Sequence, residues 1–318
     1  MVKRWLAPGP VGLAGLLVLA LVPTLVRDPY ITHVLVLSML YAVLASSWNL
    51  LVGYVGIFSF GHQAFFGLGC YVSALLAMRA GIDPWLGLLV AGVSAAALGG
   101  FIALPTLRLR AAPYIAIATM GFAEIVRIVA QNLVDLTRGE LGLWGIPPLT
   151  DIGSLSFAGG SRTPYYYAMF AIFAVTMVLL WRLVHSSFGL ALVSIRESQD
   201  AAESLGVDLT RYKVAAFMIS SFFAGVAGAF YAHYILILTP SSVLSIGVMV
   251  EIITVTMVGG LGTLLGPVAG AFVLTLALEQ MRVLGDWRLL IYGAVLVGLI
   301  MFMPEGAVRR LMPGRRDL

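Results

Sequence analysis

Residues 84–104 read PWLGLLVAGVSAAALGGFIAL, an unbroken run without Asp, Glu, Lys or Arg that Pro105 closes. About 20 mostly apolar residues are what a helix needs to cross the hydrocarbon of a bilayer. Proline does least harm at the edges of such a helix, where Pro84 and Pro105 stand. Comparable runs occupy 11–26, 31–52, 58–79, 112–132, 164–184, 212–236, 246–262, 264–283 and 288–303. The pattern predicts an all-α, polytopic transmembrane helix bundle of about ten spans, filling residues 1–304.

Composition agrees with that reading. The 318 residues are 60% apolar and 11% charged, with a mean hydropathy of +1.00. A soluble domain carries roughly 25% charged residues, so the two soluble domains that length alone suggests are excluded. Cys70, the sole cysteine, forms no internal disulfide and belongs to no thiolate metal pattern. The N-terminus begins like a signal peptide, with Lys3 and Arg4 before an apolar run. No small-x-small cleavage site follows, and 11–26 is read as the first span.

Ten crossings put both termini on one side. Placing them in the cytoplasm puts twelve of the 19 Lys and Arg inside and six outside, with Arg127 within a span. That distribution favours cytoplasmic termini and accounts for the net charge of +4 without nucleic acid. Trp85, Trp181 and Tyr165-Tyr166-Tyr167 stand near span edges, as an interfacial belt would. Residues 133–163 then form a Gly-, Pro- and Ser-rich outer loop, residues 185–211 a cytoplasmic loop, and residues 305–318 a short basic tail. The Gly-rich junction within 246–283 is compatible with a re-entrant piece.

The inner loop is the most informative stretch. Arg196 to Leu205 predicts a short amphipathic helix with Gly206 as its C-terminal stop. Ala201 and Ala202 remove bulk so that another surface can approach. Arg196, Glu197, Asp200 and Glu203 supply orienting rim charge. An ordinary solvated loop helix is the plainer reading of the same residues.

The spacing Asp200-Ala201-Ala202-x-x-x-Gly206 resembles the acidic-Ala-Ala-x-x-x-Gly signature of ABC importer permeases. Three further stretches resemble LivM-type permeases of branched-chain amino acid ABC transporters. They are Trp48 to Tyr71, Leu107 to Arg127, and Gly259-Gly260-Leu261-Gly262-Thr263-Leu264-Leu265-Gly266-Pro267. A looser match covers Thr137 to Pro147. The resemblance implies a multi-pass protein of the bacterial inner membrane, whose loop helix docks on an ATPase subunit. It also implies a second homologous permease forming a heterodimer, two ABC ATPase chains that hold ATP and Mg, and an extracytoplasmic substrate-binding protein docking on the outer loops. No Gly-x-x-x-x-Gly-Lys run exists around Lys3 or Lys213, so this chain itself has no P-loop and no cofactor of its own is expected.

Polar residues inside spans mark the candidate path or gate. Charges at a helix centre are costly in lipid and tend to face the bundle interior. Glu124, Arg127 and Gln131 share one helix face, and Glu251 and Thr254 form a smaller stripe. Asn49, His62, Gln63, Gly259 and Gly260 complete the set. His62 follows a glycine-broken approach, and a broken helix can offer N–H groups to a carboxylate. Structural ion pairing of Glu124 with Arg127, a structural His62, and glycines used only for packing are the plainer alternatives.

Competing functions differ in their energy source and substrate. An ion-coupled secondary transporter would use Glu124 and Glu251 as ion sites and act alone. A permease for urea or another amide in the same superfamily would share every motif above. An intramembrane enzyme is disfavoured, since no Asp-Asp-x-x-Asp, His-Glu-x-x-His or Gly-x-Gly-Asp motif occurs.

Overall fold

The computed structural model describes residues 28–106, 112–153, 155–157 and 159–280, together with positions 15, 19–23 and 293. The spans expected at 11–26 and 288–303 lie largely outside the described residues. Arg108, Arg110 and the 305–318 tail lie outside them as well. The order is α1 (Pro29–Asn49), a six-residue π turn (Leu50–Val55), α2 (His62–Ala80), α3 (Pro84–Thr106) and α4 (Ala112–Asn132). The short α5 (Val134–Thr137) and strand β1 (Leu143–Trp144) follow, then α6 (Thr163–Val184), α7 (Ser187–Glu197), α8 (Gln199–Ser204) and α9 (Leu209–Ile235). Strand β2 (Ile237–Leu238), α10 (Pro240–Val243), α11 (Ile246–Gly259) and α12 (Leu265–Gln280) complete the described fold.

Among the described residues, 7 helices are long and apolar enough to cross a membrane. They correspond to the expected runs from 31–52 through 246–262, mostly within a few residues. The run at 264–283 gives a shorter apolar helix over Leu265–Ala277. The protein is a polytopic helical bundle, and among the described residues strand is confined to the β1–β2 ribbon and an isolated bridge between Ile152 and Leu155.

The chain divides into two compact units. The first takes the described parts of Met1–Asn49, Arg162–Ser186 and Glu251–Leu318. Here α1 is buried on most sides by α6 and α12, with Met39, Leu40, Leu44 and Trp48 at its centre. Helices α11 and α12 approach backbone to backbone. A Cβ on Gly259 would strike the carbonyl of Gly266, and one on Gly270 would strike that of Val255. Gly260 (φ 103) and Gly262 (φ 73) make the turn between them, in a backbone region that side chains rarely adopt. At one end of this unit Tyr30 donates to Glu279 at 3.1 Å and Arg162 to the Pro29 carbonyl at 3.5 Å.

The second unit takes Leu50–Ser161 and Ser187–Val250. Its centre is α2, α3 and α9, joined through small residues. A Cβ on Gly69 would fall on the Gly225 backbone, and one on Gly228 on the Phe66 carbonyl. A Cβ on Gly225 would lie 2.5 Å from the Ala95 Cβ. Such contacts let helices pack at backbone range, where dispersion replaces the hydrophobic drive absent between helices in lipid. Helix α3 turns a purely apolar stripe outward through Leu86, Leu89, Val93, Phe101 and Leu104.

Polar links gather the loops at one end of this unit. Arg79 donates to the carbonyls of Asp135 and Leu136, the latter at 3.1 Å. Trp85 Nε1 donates to the Thr150 carbonyl at 3.1 Å, and the Thr150 hydroxyl donates to Asp83 at 2.9 Å. The ribbon pairs Leu143 with Leu238 and Trp144 with Ile237. Cross-strand partners share a face. The leucines are accordingly both buried, and Trp144 and Ile237 are both exposed.

Candidate functional site

The inner loop is built as two helices, which corrects the single helix expected over 196–205. Ser198 breaks it, standing in extended backbone (φ −159) while its hydroxyl accepts the Ala201 N–H at 3.3 Å. A serine cap satisfies an orphan donor of a new helix, and that competes with continuing the old one. The expected stop at Gly206 is present: φ is 84, and Val207 N–H reaches back to the Ala202 carbonyl at 3.1 Å. Ala202 is buried under the loop. Asp200, Ala201, Glu203 and Gly206 are exposed, as is Leu205 at 83%.

Arg196 and Glu197 are both exposed, and Arg196 also reaches a partner in the fold. Arg196 donates to the Gly53 carbonyl in the π turn and, at 2.8 Å, to Glu197. At the first residue of α8, buried Lys213 donates to Gln199 at 2.7 Å. Lys213 carried no signal beyond being one of two lysines.

The π turn leads into α2 through an irregular stretch. Ile57 N–H bonds the Leu51 carbonyl at 3.0 Å, and Phe60 N–H bonds the Thr119 hydroxyl on α4 at 2.9 Å. Gly61 caps α2 without a side-chain hydrogen bond. His62, 0% exposed, shares a hydrogen bond with the Ser220 hydroxyl at 2.8 Å through Nε2. Among the described residues, His62 Nδ1 and Gln63 Oε1 are buried polar atoms lacking a protein partner. Such atoms are rare in native proteins and mark places where water or a solute completes the bonding.

The other candidates fall in distinct settings. Asn49, 1% exposed, is an amide clamp: Oδ1 accepts Gly262 N–H at 2.9 Å and Nδ2 donates to the Thr263 carbonyl at 2.8 Å. It therefore holds the turn that Gly259 and Gly260 begin. Glu251 receives the Tyr41 hydroxyl, and Thr254 is buried a turn further along α11. Arg127 pairs with Glu124 through two nitrogens, while Gln131 turns to Glu140 instead. Among the described spanning helices, the pair sits on the most open one. Around it lie exposed Tyr114, Ile117 (68%), Met120, Ile125 and Ile128.

His233 was not singled out from the sequence. Its Nδ1 meets the Pro147 carbonyl at 2.7 Å and its Nε2 the Ser73 hydroxyl at 2.8 Å, joining α9, α2 and the outer loop. A histidine inside an apolar run is itself a signal, since ionisable groups within spans are rare and partnered.

Spanning-length apolar helices sealed by backbone contacts, with polar groups held inside them, define a multi-pass helical membrane protein. The chain belongs to the family described as "Branched-chain amino acid transport system / permease component", which matches residues 30–303. It is 30% identical over 321 residues to the high-affinity branched-chain amino acid transport system permease protein LivM of Escherichia coli K12, covering 95% of this chain and 75% of that one. The LivM protein of Salmonella typhimurium is also 30% identical, over 87% of this chain and 69% of the relative. The LivH permease protein of Salmonella typhimurium is 26% identical over 85% and 91%. No solved structure matches. The protein is thus a transport permease component of a bacterial inner membrane.

Proposed function

We propose that this chain forms half of the membrane path of an ATP-driven importer for branched-chain amino acids and takes its energy from separate ATPase chains through residues 185–211. The observation that carries the coupling assignment is the build of α8. Ser198 and Gly206 fix its two ends and Ala202 seats it, so that Asp200, Ala201 and Leu205 face outward as a preformed knob. An ordered knob docks without the cost of immobilising a loop.

The proposed assembly adds a homologous permease, two ABC ATPases holding ATP and Mg, and a substrate-binding protein on the outer loops. The α4 face supports the second permease and the path. The outward stripe of α3 is all apolar, as lipid requires, whereas that of α4 carries Glu124 and Arg127 near its middle. A charge pair facing hydrocarbon is expensive, so this face lies against a partner or a watered route. His62 and Gln63, beside the uncapped start of α2, are positioned as polar contacts for a zwitterion.

The proposed topology of about ten spans has cytoplasmic termini, the loop 133–163 outside and the loop 185–211 inside. It is supported within the second unit by grouping: loops assigned outside bond one another, and Arg196 reaches Gly53, both assigned inside.

The test replaces Asp200, Ala201 and Gly206 together in the whole transporter and follows uptake of labelled leucine alongside ATP turnover. Coupled uptake is expected to be lost. Normal coupling by the triple variant would sink the docking assignment, and uptake of urea in preference to leucine would replace the substrate class.

A further inference from the structure

We infer that Arg196 is a positioning residue that tethers the coupling loop to the π turn Leu50–Val55, so that displacement of α8 is delivered to the start of α2. The inference rests on residues 185–211 being the coupling loop. Arg196 is the last residue but one of α7, two residues before Ser198 caps α8, and its guanidinium spans Gly53 and Glu197. The accepting carbonyl belongs to a π turn, a rare helical form found mostly as single-turn insertions and frequently at functional sites.

Gly56 makes the contact possible twice over. Its φ of 80 suits only glycine, and a Cβ there would lie 2.9 Å from Arg196 Cγ. The arginine stem therefore lies directly on the exit of the turn. From Gly56 a short irregular segment reaches His62, whose Nδ1 is among the buried atoms without a protein partner. Lys213 fixes the first residue of α8, Gln199, to α9. With Arg196 and Lys213 both holding its start, α8 moves with two elements of the second unit. A displacement at its exposed knob then acts on the π turn instead of being absorbed by loop bending.

The experiment uses the complete transporter in liposomes and measures leucine uptake and ATP hydrolysis in the same vesicles. Arg196→Ala is expected to reduce leucine moved per ATP roughly tenfold, the scale of one charge-assisted hydrogen bond, while hydrolysis falls about twofold or less. Arg196→Lys, which keeps one donor, should recover part of the ratio. Gly56→Ala should reproduce the uncoupling with Arg196 intact, and it carries the test if Arg196→Ala does not assemble. A wild-type ratio in Gly56→Ala, or in an assembled Arg196→Ala, overturns the tether. Ala201→Trp serves as the control for the loop itself. If it leaves ATPase co-purification untouched, the docking assignment fails instead, and the tether has no motion to transmit.

Discussion

Replacing Asn49 by Leu isolates one amide. The side chains share the same branched four-atom skeleton, so the loss is chiefly the pair of hydrogen bonds to Gly262 and Thr263, at 2.9 and 2.8 Å, with some crowding from the bulkier methyls. A neutral intramolecular hydrogen bond contributes about 0.5–1.5 kcal/mol net, so two contribute about 1–3 kcal/mol. The buried site raises that figure, since the turn's N–H and carbonyl are left partly shielded from water. At about 2.1 cal/mol/K of unfolding entropy per residue, a loss of about 2 kcal/mol corresponds to roughly 3 °C for the 318 residues of this chain. Size-exclusion detection of detergent-solubilised protein after heating reads this as a fall in melting temperature. Uptake kinetics then separate the roles: a turn clamp lowers stability and leaves KM near wild type, whereas a solute contact raises KM at unchanged stability. A melting temperature within about 1 °C of wild type would refute the clamp, because it would place both bonds below the usual range.

Three further outcomes are expected. Gly69→Leu should prevent stable assembly of α2 with α9, because the added atoms meet the Gly225 backbone, which cannot rotate away; sharply reduced folded yield in detergent checks this. His233→Phe removes hydrogen bonds to Pro147 and Ser73 and should cost about 1–3 kcal/mol, read as a lower melting temperature and faster proteolysis of the outer loop. Glu124→Ala and Arg127→Ala should each impair assembly or uptake more than the double variant, since a lone charge on a covered face is worse than none. Equal losses from all three would rule out a covering partner at this face and leave the watered route.

The spans were legible because membrane burial imposes a crude rule, about 20 apolar residues bounded by breakers, and Pro84 and Gly81 obey it openly. The Glu124–Arg127 pair was legible too, since residues three apart on a helix meet. The break at Ser198 was not. Propensity favours continuing the helix, and only the competition of one hydroxyl for the Ala201 N–H ends it. The clamp at Asn49 was invisible for a different reason: its partners lie more than 200 positions away, and no local pattern announces a tertiary bond. Arg196 looked like rim charge because arginine on a polar loop usually is; its further bond to the Gly53 carbonyl depends on bare backbone at Gly56.

The glycine seam between α2 and α9 also bears on how the chain is made. Gly69 and Gly225 stand some 150 residues apart, and at about 5–20 residues per second the ribosome needs on the order of ten to thirty seconds to travel from one to the other. For that interval the seam of α2 has no mate within its own polypeptide. The small, unadorned surface that later seats α9 must rest against lipid or insertion machinery. A seam of bare backbone suits that wait, offering no large side chain to seize a wrong neighbour before the right helix is synthesised.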